Sequence, residues 1–234
     1  MKKSRLLGAV CAFNLALCSQ ANATLVDFTG GTIYQFGGAT FTTDNTLNVD
    51  NVDYYEEGGV KFDFIGPSGI PFSYLVGDYY GVGNDVIHGH WGTGDGGYGD
   101  MESIRVNKID NTAFDLTYFK ITTNVENGGS VGEGTEQVWI NALADGINVS
   151  YSMLLPPDDW GFSGPNSEIY LGVEFENIKA FTFTSTGTSD GFGLDEFFID
   201  QEAPPPAVPV PAAVWLFGSG LLGLVGMARR KKAA

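Results

Sequence analysis

Residues 137–154 decide the fold class, and they read QVWINALADGINVSYSML. Apolar and polar side chains alternate on both sides of Asp145-Gly146, and a period of two is typical of half-buried β-strands. An Asp-Gly pair between two such runs indicates a two-residue type I′ turn. The stretch therefore predicts an antiparallel hairpin, and we expect Trp139 in its first strand to lie in the core. The side chains expected on the core face of the second strand are Ile147, Val149, Tyr151 and Met153.

Strand signals continue through most of the chain. Gly accounts for 33 of the 234 residues, about twice the usual share, which indicates many turns. No segment between residues 24 and 203 shows a sustained helical period. We therefore predict an all-β domain of two packed antiparallel sheets and, within that class, a jelly-roll, lectin-like β-sandwich. Further strands are expected near residues 25–29, 33–42, 46–50, 60–64, 72–77, 85–91, 102–109, 114–121, 169–175, 178–184 and 192–199.

The N-terminus has the three parts of a secretory signal peptide. Basic residues precede the apolar run 6–17, and Ala21 and Ala23 supply the small residues of a cleavage site. Signal peptidase would cut after Ala23, so we expect export from the cytoplasm. Both cysteines of the chain lie before this cleavage site. The mature chain therefore has no thiol for a disulfide, a zinc-thiolate site or a cysteine nucleophile.

The C-terminus contains a second apolar segment. Residues 212–228 carry no charged side chain, and a helix of this length covers about 26 Å, slightly less than a hydrocarbon core of about 30 Å. The basic residues that follow, 229–232, stay in the cytoplasm by the positive-inside rule. The Pro-rich residues 204–211 predict a semi-rigid spacer before the helix. We therefore expect a single transmembrane helix that leaves the body of the protein outside.

The last 27 residues combine a proline motif, Val208-Pro209-Val210-Pro211, with a short apolar helix rich in Gly and Ala and a terminal basic cluster. This combination resembles the PEP-CTERM sorting signal of Gram-negative bacteria, in its VPLPA-type variant. The resemblance implies recognition by exosortase, a membrane-embedded transpeptidase-like enzyme that removes the helix and passes the protein to the cell surface or the exopolysaccharide matrix. Val210 stands where the commoner Pro-Glu-Pro form has Glu. The residues that the resemblance assigns to sorting are Val208, Pro209, Val210, Pro211, Arg229 and Arg230.

The net charge of the predicted ectodomain limits the partners that it can bind. Residues 24–203 carry 28 acidic and 5 basic side chains, a net charge of −23. Such a surface repels phosphate backbones and anionic lipid headgroups, so we expect no nucleic acid partner. An anionic polysaccharide would be repelled too unless a divalent cation bridged the two, whereas a neutral glycan would not.

The predicted segments are a signal peptide (1–23), a β-sandwich ectodomain (24–203), a linker with the sorting motif (204–211), a transmembrane helix (212–228) and a basic tail (229–234).

The densest polar cluster is residues 83–100, GNDVIHGHWGTGDGGYGD. Asp85, Asp95 and Asp100 offer hard oxygen ligands of the kind that Ca²⁺ prefers, so they are candidate calcium ligands, although no EF-hand spacing is present. His88 and His90 would share one face of a strand, as a transition-metal site could use. The chain has no third histidine, so the alternative is a solvent-facing strand end. A weaker calcium candidate consists of Asp190, Asp195 and Glu196.

Aromatic rings could bind sugar by stacking on the apolar face of a pyranose. Trp160, in a loop expected at residues 156–162, is the first candidate, followed by Trp91 and Tyr98. Each of these rings could instead close the end of the core. The sequence thus offers a glycan-binding hypothesis without deciding it.

Catalysis is the rival hypothesis. Glycoside hydrolysis needs two carboxyl groups about 5 to 9.5 Å apart, and Glu174 and Glu176 would share a strand face while Asp195, Glu196 and Asp200 lie near another strand. Neither run has the Glu-x-Asp-x-x-Glu pattern of laminarinase-like sandwiches. We therefore expect a secreted, non-catalytic surface or matrix protein with no obligatory cofactor. The alternatives are a secreted carbohydrate-active hydrolase and a permanently anchored structural surface protein.

Overall fold

The structure, a computed structural model, describes residues 23–66, 74–91, 101–123, 137–144, 147–154, 161–162, 167–186 and 191–207. Most of these residues form β-strands, and one short 3-10 helix, Val173–Phe175, is present among them. The fold class is all-β, as the sequence predicts. The strands are β1 (Thr24–Val26), β2 (Thr32–Gln35), β3 (Thr40–Thr42), β4 (Asn48–Val49), β5 (Val52–Glu57), β6 (Val60–Ile65), β7 (Tyr74–Gly77), β8 (Val86–His90), β9 (Ser103–Lys108), β10 (Leu116–Thr123), β11 (Gln137–Ala144), β12 (Ile147–Leu154), β13 (Glu168–Tyr170), β14 (Ile178–Thr186) and β15 (Gly191–Ile199).

The strands form two antiparallel sheets. Sheet A has the order β13-β10-β15-β8-β7-β4, and β1 pairs with the C-terminal part of β15. Sheet B has the order β12-β11-β14-β9-β6-β5-β2-β3. Several neighbouring strands are far apart in sequence, such as β10 and β15 or β9 and β14. The sheets are therefore completed by long-range pairing rather than by hairpins alone.

Aromatic rings join the two sheets. Phe119 of sheet A lies 5.2 Å from Phe183 of sheet B, measured between ring centroids. Phe197 of sheet A lies 5.2 Å from Phe62 of sheet B, and all four rings are completely buried. Each buried Phe contributes about 1.5–3 kcal/mol through the hydrophobic effect. The sheets thus pack face to face around one aromatic core, which is a sandwich-like arrangement.

The hairpin predicted from residues 137–154 is confirmed. β11 and β12 pair antiparallel from Gln137↔Leu154 to Ala144↔Ile147, which leaves two residues between the strands. Val149 and Met153 pack against the core, whereas Tyr151 is 39% exposed. Tyr151 is more exposed than predicted because β12 is the edge strand of sheet B.

In the N-terminal third, the structure differs from the predicted strands in two places. The strand expected over 33–42 is a hairpin of β2 and β3, closed by a turn in which the Gly38 N–H donates to the Gln35 carbonyl. The strand β5 was not predicted, although it pairs with β6 across Gly58-Gly59. Both of these glycines have positive φ, 57° and 82°, as the turn of a two-residue hairpin requires. In each case a Gly-Gly pair is the turn signal in the sequence.

A β-bulge in β15 sets which side chains face the core. Phe192 and Leu194 are buried in the core, and after the bulge the core positions are Phe197 and Ile199. The extra residue is Glu196, whose φ of 50° lies in the left-handed region. Because a strand alternates with a period of two, one extra residue shifts the pattern by one position. Asp195 and Glu196 are therefore both kept out of the aromatic core.

The chain divides into two compact units, residues 1–203 and 204–234. Both sheets belong to the first unit. In the described part of the second unit, residues 204–207, no regular secondary structure is present. No helix among the described residues has the length and apolar character needed to cross a membrane. Ala21, the sorting residues 208–211 and 229–230, and the predicted helix 212–228 lie outside the described residues.

Candidate functional site

The two histidines of the polar cluster lie on the outer face of sheet A, in strand β8. They are buried, with His88 fully covered and His90 5% exposed. Tyr79 covers them: its ring stacks on His88 at 3.9 Å between centroids, and its hydroxyl lies 3.4 Å from His90 Nε2. Burial lowers the pKa of His90 to about 4, so its ring is neutral at pH 7. The pair shares one face as predicted, but it is not a solvent-facing strand end.

Asp85 joins two loops. Its Oδ2 accepts a hydrogen bond from the Asn45 backbone N–H at 2.9 Å, and the Asp85 N–H donates to Asn45 Oδ1 at 3.1 Å. Burial raises the pKa of this carboxyl. The other two predicted calcium ligands, Asp95 and Asp100, lie outside the described residues. Within the described ranges, no three His, Cys, Asp or Glu side chains are close enough together to hold a metal ion.

Among the predicted sugar-stacking rings, only Trp91 is described. It is 2% exposed, and its indole stacks on Phe192 with centroids 4.9 Å apart and planes 9° apart. A ring held in this way has no free face for a pyranose, because Phe192 and the core occupy its surroundings. Trp160, Tyr98 and Asp190 lie outside the described residues.

The acidic residues considered for hydrolysis lie at the 3-10 helix and in or next to β15. Glu174 lies in the 3-10 helix and Glu176 follows it, so the shared strand face expected for them is wrong. Asp195 is 2% exposed, and its carboxylate accepts from Asn84 Nδ2 at 3.0 Å and from the Glu196 N–H at 2.7 Å. Asp200 contacts Lys108 Nζ and accepts from the Asp115 N–H. The carboxylates of Asp195 and Asp200 are thus engaged in bonds within the fold.

The outer face of sheet B offers a continuous row of side chains, which we call the sheet-B row. One residue from each of the eight strands contributes to it, and each is in register with the next. With a strand spacing of about 4.8 Å, the row is about 34 Å long. From β12 to β3 it consists of Ser150, Asn141, Thr182, Arg105, Asp63, Tyr54, Tyr34 and Thr40.

Trp139 lies on this same outer face, next to the sheet-B row. Its neighbours along the strand, Val138 and Ile140, are fully buried in the core, so Trp139 points the other way and is only partly buried. It is in register with Ser152 on one side and Thr184 on the other. The expectation that Trp139 belongs to the core is wrong. Trp139 is two residues from each of the polar Gln137 and Asn141, so the period of two places it on their face, and this is the sequence signal for the outer face.

Hydrogen bonds order the polar side chains beside Trp139. Ser150 Oγ donates to Asn141 Oδ1 at 2.8 Å, and Asn141 Nδ2 donates to Thr184 Oγ1 at 3.5 Å. Hydroxyl and amide groups of this kind both donate and accept hydrogen bonds. Around the indole, the face therefore presents neutral polar groups in fixed positions.

The far part of the sheet-B row carries a second aromatic group. Tyr34 and Tyr54 stack with centroids 4.2 Å apart and planes 16° apart. Lys61 Nζ lies 4.1 Å from the centre of the Tyr54 ring and 2.5 Å from Asp63 Oδ1. A cation over a ring face is an attractive interaction of about 0.5–1 kcal/mol at exposed sites. Rings, amides, hydroxyls and charges thus follow one another across the sheet.

The arrangement suits a ligand that has both apolar and hydroxyl-bearing surfaces. Sugars have apolar ring faces and many hydroxyl groups, so rings can stack on them while amides and hydroxyls bind their edges. No protein family model, no curated protein and no solved structure matches the chain.

Proposed function

We propose that this chain is an exported, non-catalytic surface or matrix protein that binds extracellular polysaccharide through the outer face of sheet B. Trp139 carries this proposal, because it is a partly exposed indole set among ordered hydroxyl and amide groups. The length of the sheet-B row favours an extended chain of sugars over a single one. Calcium at Asp85, Asp95 and Asp100 stays a separate prediction.

The jelly-roll form of the sandwich belongs to the same proposal. From β9 onward the chain passes from sheet B to sheet A and back at most connections: β9 is in sheet B, β10 in sheet A, β11 and β12 in sheet B, β13 in sheet A, β14 in sheet B and β15 in sheet A. Repeated crossing between two antiparallel sheets is typical of Greek-key and jelly-roll sandwiches. Such folds bind ligands of many kinds, so the function is argued from the side chains and not from the fold.

Binding is tested with the mature protein and polysaccharide extracted from the matrix of the cells that secrete it. Trp139→Ala should weaken binding about tenfold or more, which is the size of effect expected for an aromatic side chain at the centre of a binding surface. Tyr170→Ala is the matched control, since Tyr170 is a 38% exposed ring in β13 of the other sheet. Equal binding by the wild type and Trp139→Ala, or no binding by the wild type, would contradict the proposal.

Export and sorting are supported by the sequence of the two ends. A signal peptide cleaved after Ala23 would release a chain whose first strand begins at the next residue, Thr24. The proline motif and basic tail resemble a PEP-CTERM signal, so an exosortase-like enzyme is the proposed partner at the inner membrane. The intact mass of the protein from its own cells tests this step. A mature form that still carries residues 229–234 would instead support a permanent anchor.

A further inference from the structure

We infer that the polysaccharide bound by the outer face of sheet B carries carboxylate groups, and that Arg105 binds one of them. This inference rests on the proposed function and concerns the same surface. It names the ligand class as a chain of mostly neutral sugars with an acidic sugar, such as a uronic acid, in its repeat.

Arg105 differs from the other basic residues of the β-sandwich. Five basic side chains occur between residues 24 and 203. Lys61, Lys108 and Lys120 form ion pairs with carboxylates, and Lys179 Nζ donates to the Asn111 carbonyl at 3.3 Å. No described residue forms an ion pair or a hydrogen bond with the side chain of Arg105, which is exposed. Among the described residues, its guanidinium is thus the basic group without a bonded partner.

The neighbours of Arg105 explain why the guanidinium is open. In the sheet-B row it lies between Thr182 and Asp63. Asp63 is the acidic residue next to Arg105 in this row, and its carboxylate is 2.5 Å from Lys61 Nζ. Lys61 in turn lies over the ring of Tyr54. The Asp63 carboxylate beside Arg105 therefore already has a cationic partner, Lys61.

The position of Arg105 fits a chain that also contacts Trp139. Arg105 lies two strands from β11, which is about 10 Å across the sheet. It is in the same row as Asn141, and Asn141 is the residue after Trp139 on the outer face of β11. A sugar stacked on Trp139 would place a neighbouring sugar of the same chain within reach of the guanidinium. The planar fork of Arg matches a carboxylate with two parallel hydrogen bonds, which a hydroxyl group does not offer.

The net charge of −23 does not prevent this contact. Charges more than a Debye length apart, about 8 Å at physiological ionic strength, are largely screened from each other. The described acidic side chain beside Arg105 is neutralised by Lys61. A polysaccharide with widely spaced carboxylates can therefore place one of them on Arg105 without strong repulsion. A densely charged polysaccharide would also bring carboxylates close to the acidic side chains elsewhere on the surface.

The test compares one polysaccharide in two forms. Matrix polysaccharide from the secreting cells is divided, and in one half the carboxylates are reduced to primary alcohols. The wild type should bind the native half about tenfold more tightly, which corresponds to about 1.4 kcal/mol for a charge-assisted contact. Arg105→Gln should bind both halves equally. Arg105→Lys, which keeps the charge and loses the fork, should retain only part of the difference.

The control is Lys179→Gln, which changes the net charge by the same amount at an exposed site near the start of β14. It should keep the wild-type preference for the native half, and circular dichroism should show that both variants are folded. Equal binding of the two halves by the wild type would overturn the inference but not the proposed function. The same holds if Arg105→Gln behaves like Lys179→Gln. Binding of neither half would overturn both.

Discussion

Two carboxyl groups, that of the partly buried Glu57 and that of the buried Asp195, have strongly raised pKa values. Burial raises the pKa of Glu57 to about 7, and the nearby Asp27 carboxylate adds to the effect. Burial likewise raises the pKa of Asp195 to about 7, against the opposing hydrogen bond from Asn84. Both groups therefore take up protons more readily in the folded chain than in the unfolded chain, where their pKa values are about 4.

This difference predicts that stability falls as the pH rises. The two groups contribute their full stabilisation below pH 4, where both states are protonated, and it is lost progressively as the pH rises from about 4 to about 7. For Asp195, a pKa raised from 3.8 to about 7 corresponds to on the order of 4 kcal/mol. The Tm should therefore be lower at pH 8.5 than at pH 5.5. Calorimetry across this range provides the measurement.

Neutral variants separate this effect from other titrations. Glu57→Gln can still accept the hydrogen bond that Tyr55 Oη donates at 2.8 Å, and its amide can donate to Asp27. Together with Asp195→Asn it should flatten the fall in Tm between about pH 4 and about pH 7. A double variant with the same pH dependence as the wild type would show that other groups cause the fall.

At the scale of elements, the period-two pattern predicted strands better than it predicted their faces. The hairpin β11–β12 was predictable because both its alternation and its Asp-Gly turn are local. The predicted face of Trp139 is wrong because large aromatic residues usually favour the core, whereas Val138 and Ile140 already occupy the core face of this strand. The pairing of β10 with β15 joins residues from Leu116↔Ile199 to Thr123↔Phe192, which are far apart in sequence, and no local pattern encodes such a partner.

The position of the bulge in β15 predicts that two adjacent phenylalanines, Phe197 and Phe198, differ in their contribution to stability. Phe197 is fully buried and packs against rings of both sheets, including Phe62 and Phe119. Phe198 lies on the outer face against Tyr118. Phe197→Ala should therefore cost about 3–5 kcal/mol of the free energy of unfolding, and Phe198→Ala less than about 2 kcal/mol. Urea denaturation of the two variants measures the difference, and the reverse order would contradict the placement of the bulge at Glu196.

At the scale of the whole molecule, the two ends of the sandwich meet. Thr24 pairs with Ile199, and Gln201 Nε2 donates to the Thr24 carbonyl at 3.0 Å across 177 positions of sequence. Lys108 of sheet B also contacts Asp200, directly after the last strand. The first strand can therefore complete sheet A only after the last strand is in place. The sequence does not predict this contact, because its partners lie 177 positions apart and no local pattern encodes it.

Net charge predicts how salt affects the stability of the whole domain. With 28 acidic and 5 basic residues between positions 24 and 203, self-repulsion destabilises the compact state. Raising NaCl from 10 to 150 mM shortens the Debye length from about 30 to about 8 Å. We expect stabilisation of about 1 kcal/mol, or a rise in Tm of about 2–4 °C. CaCl₂ at matched ionic strength is the control, because screening alone gives the same Tm for both salts. A Tm that does not rise with NaCl would contradict the prediction, and a further rise with Ca²⁺ that is lost in Asp85→Asn would instead indicate a calcium site.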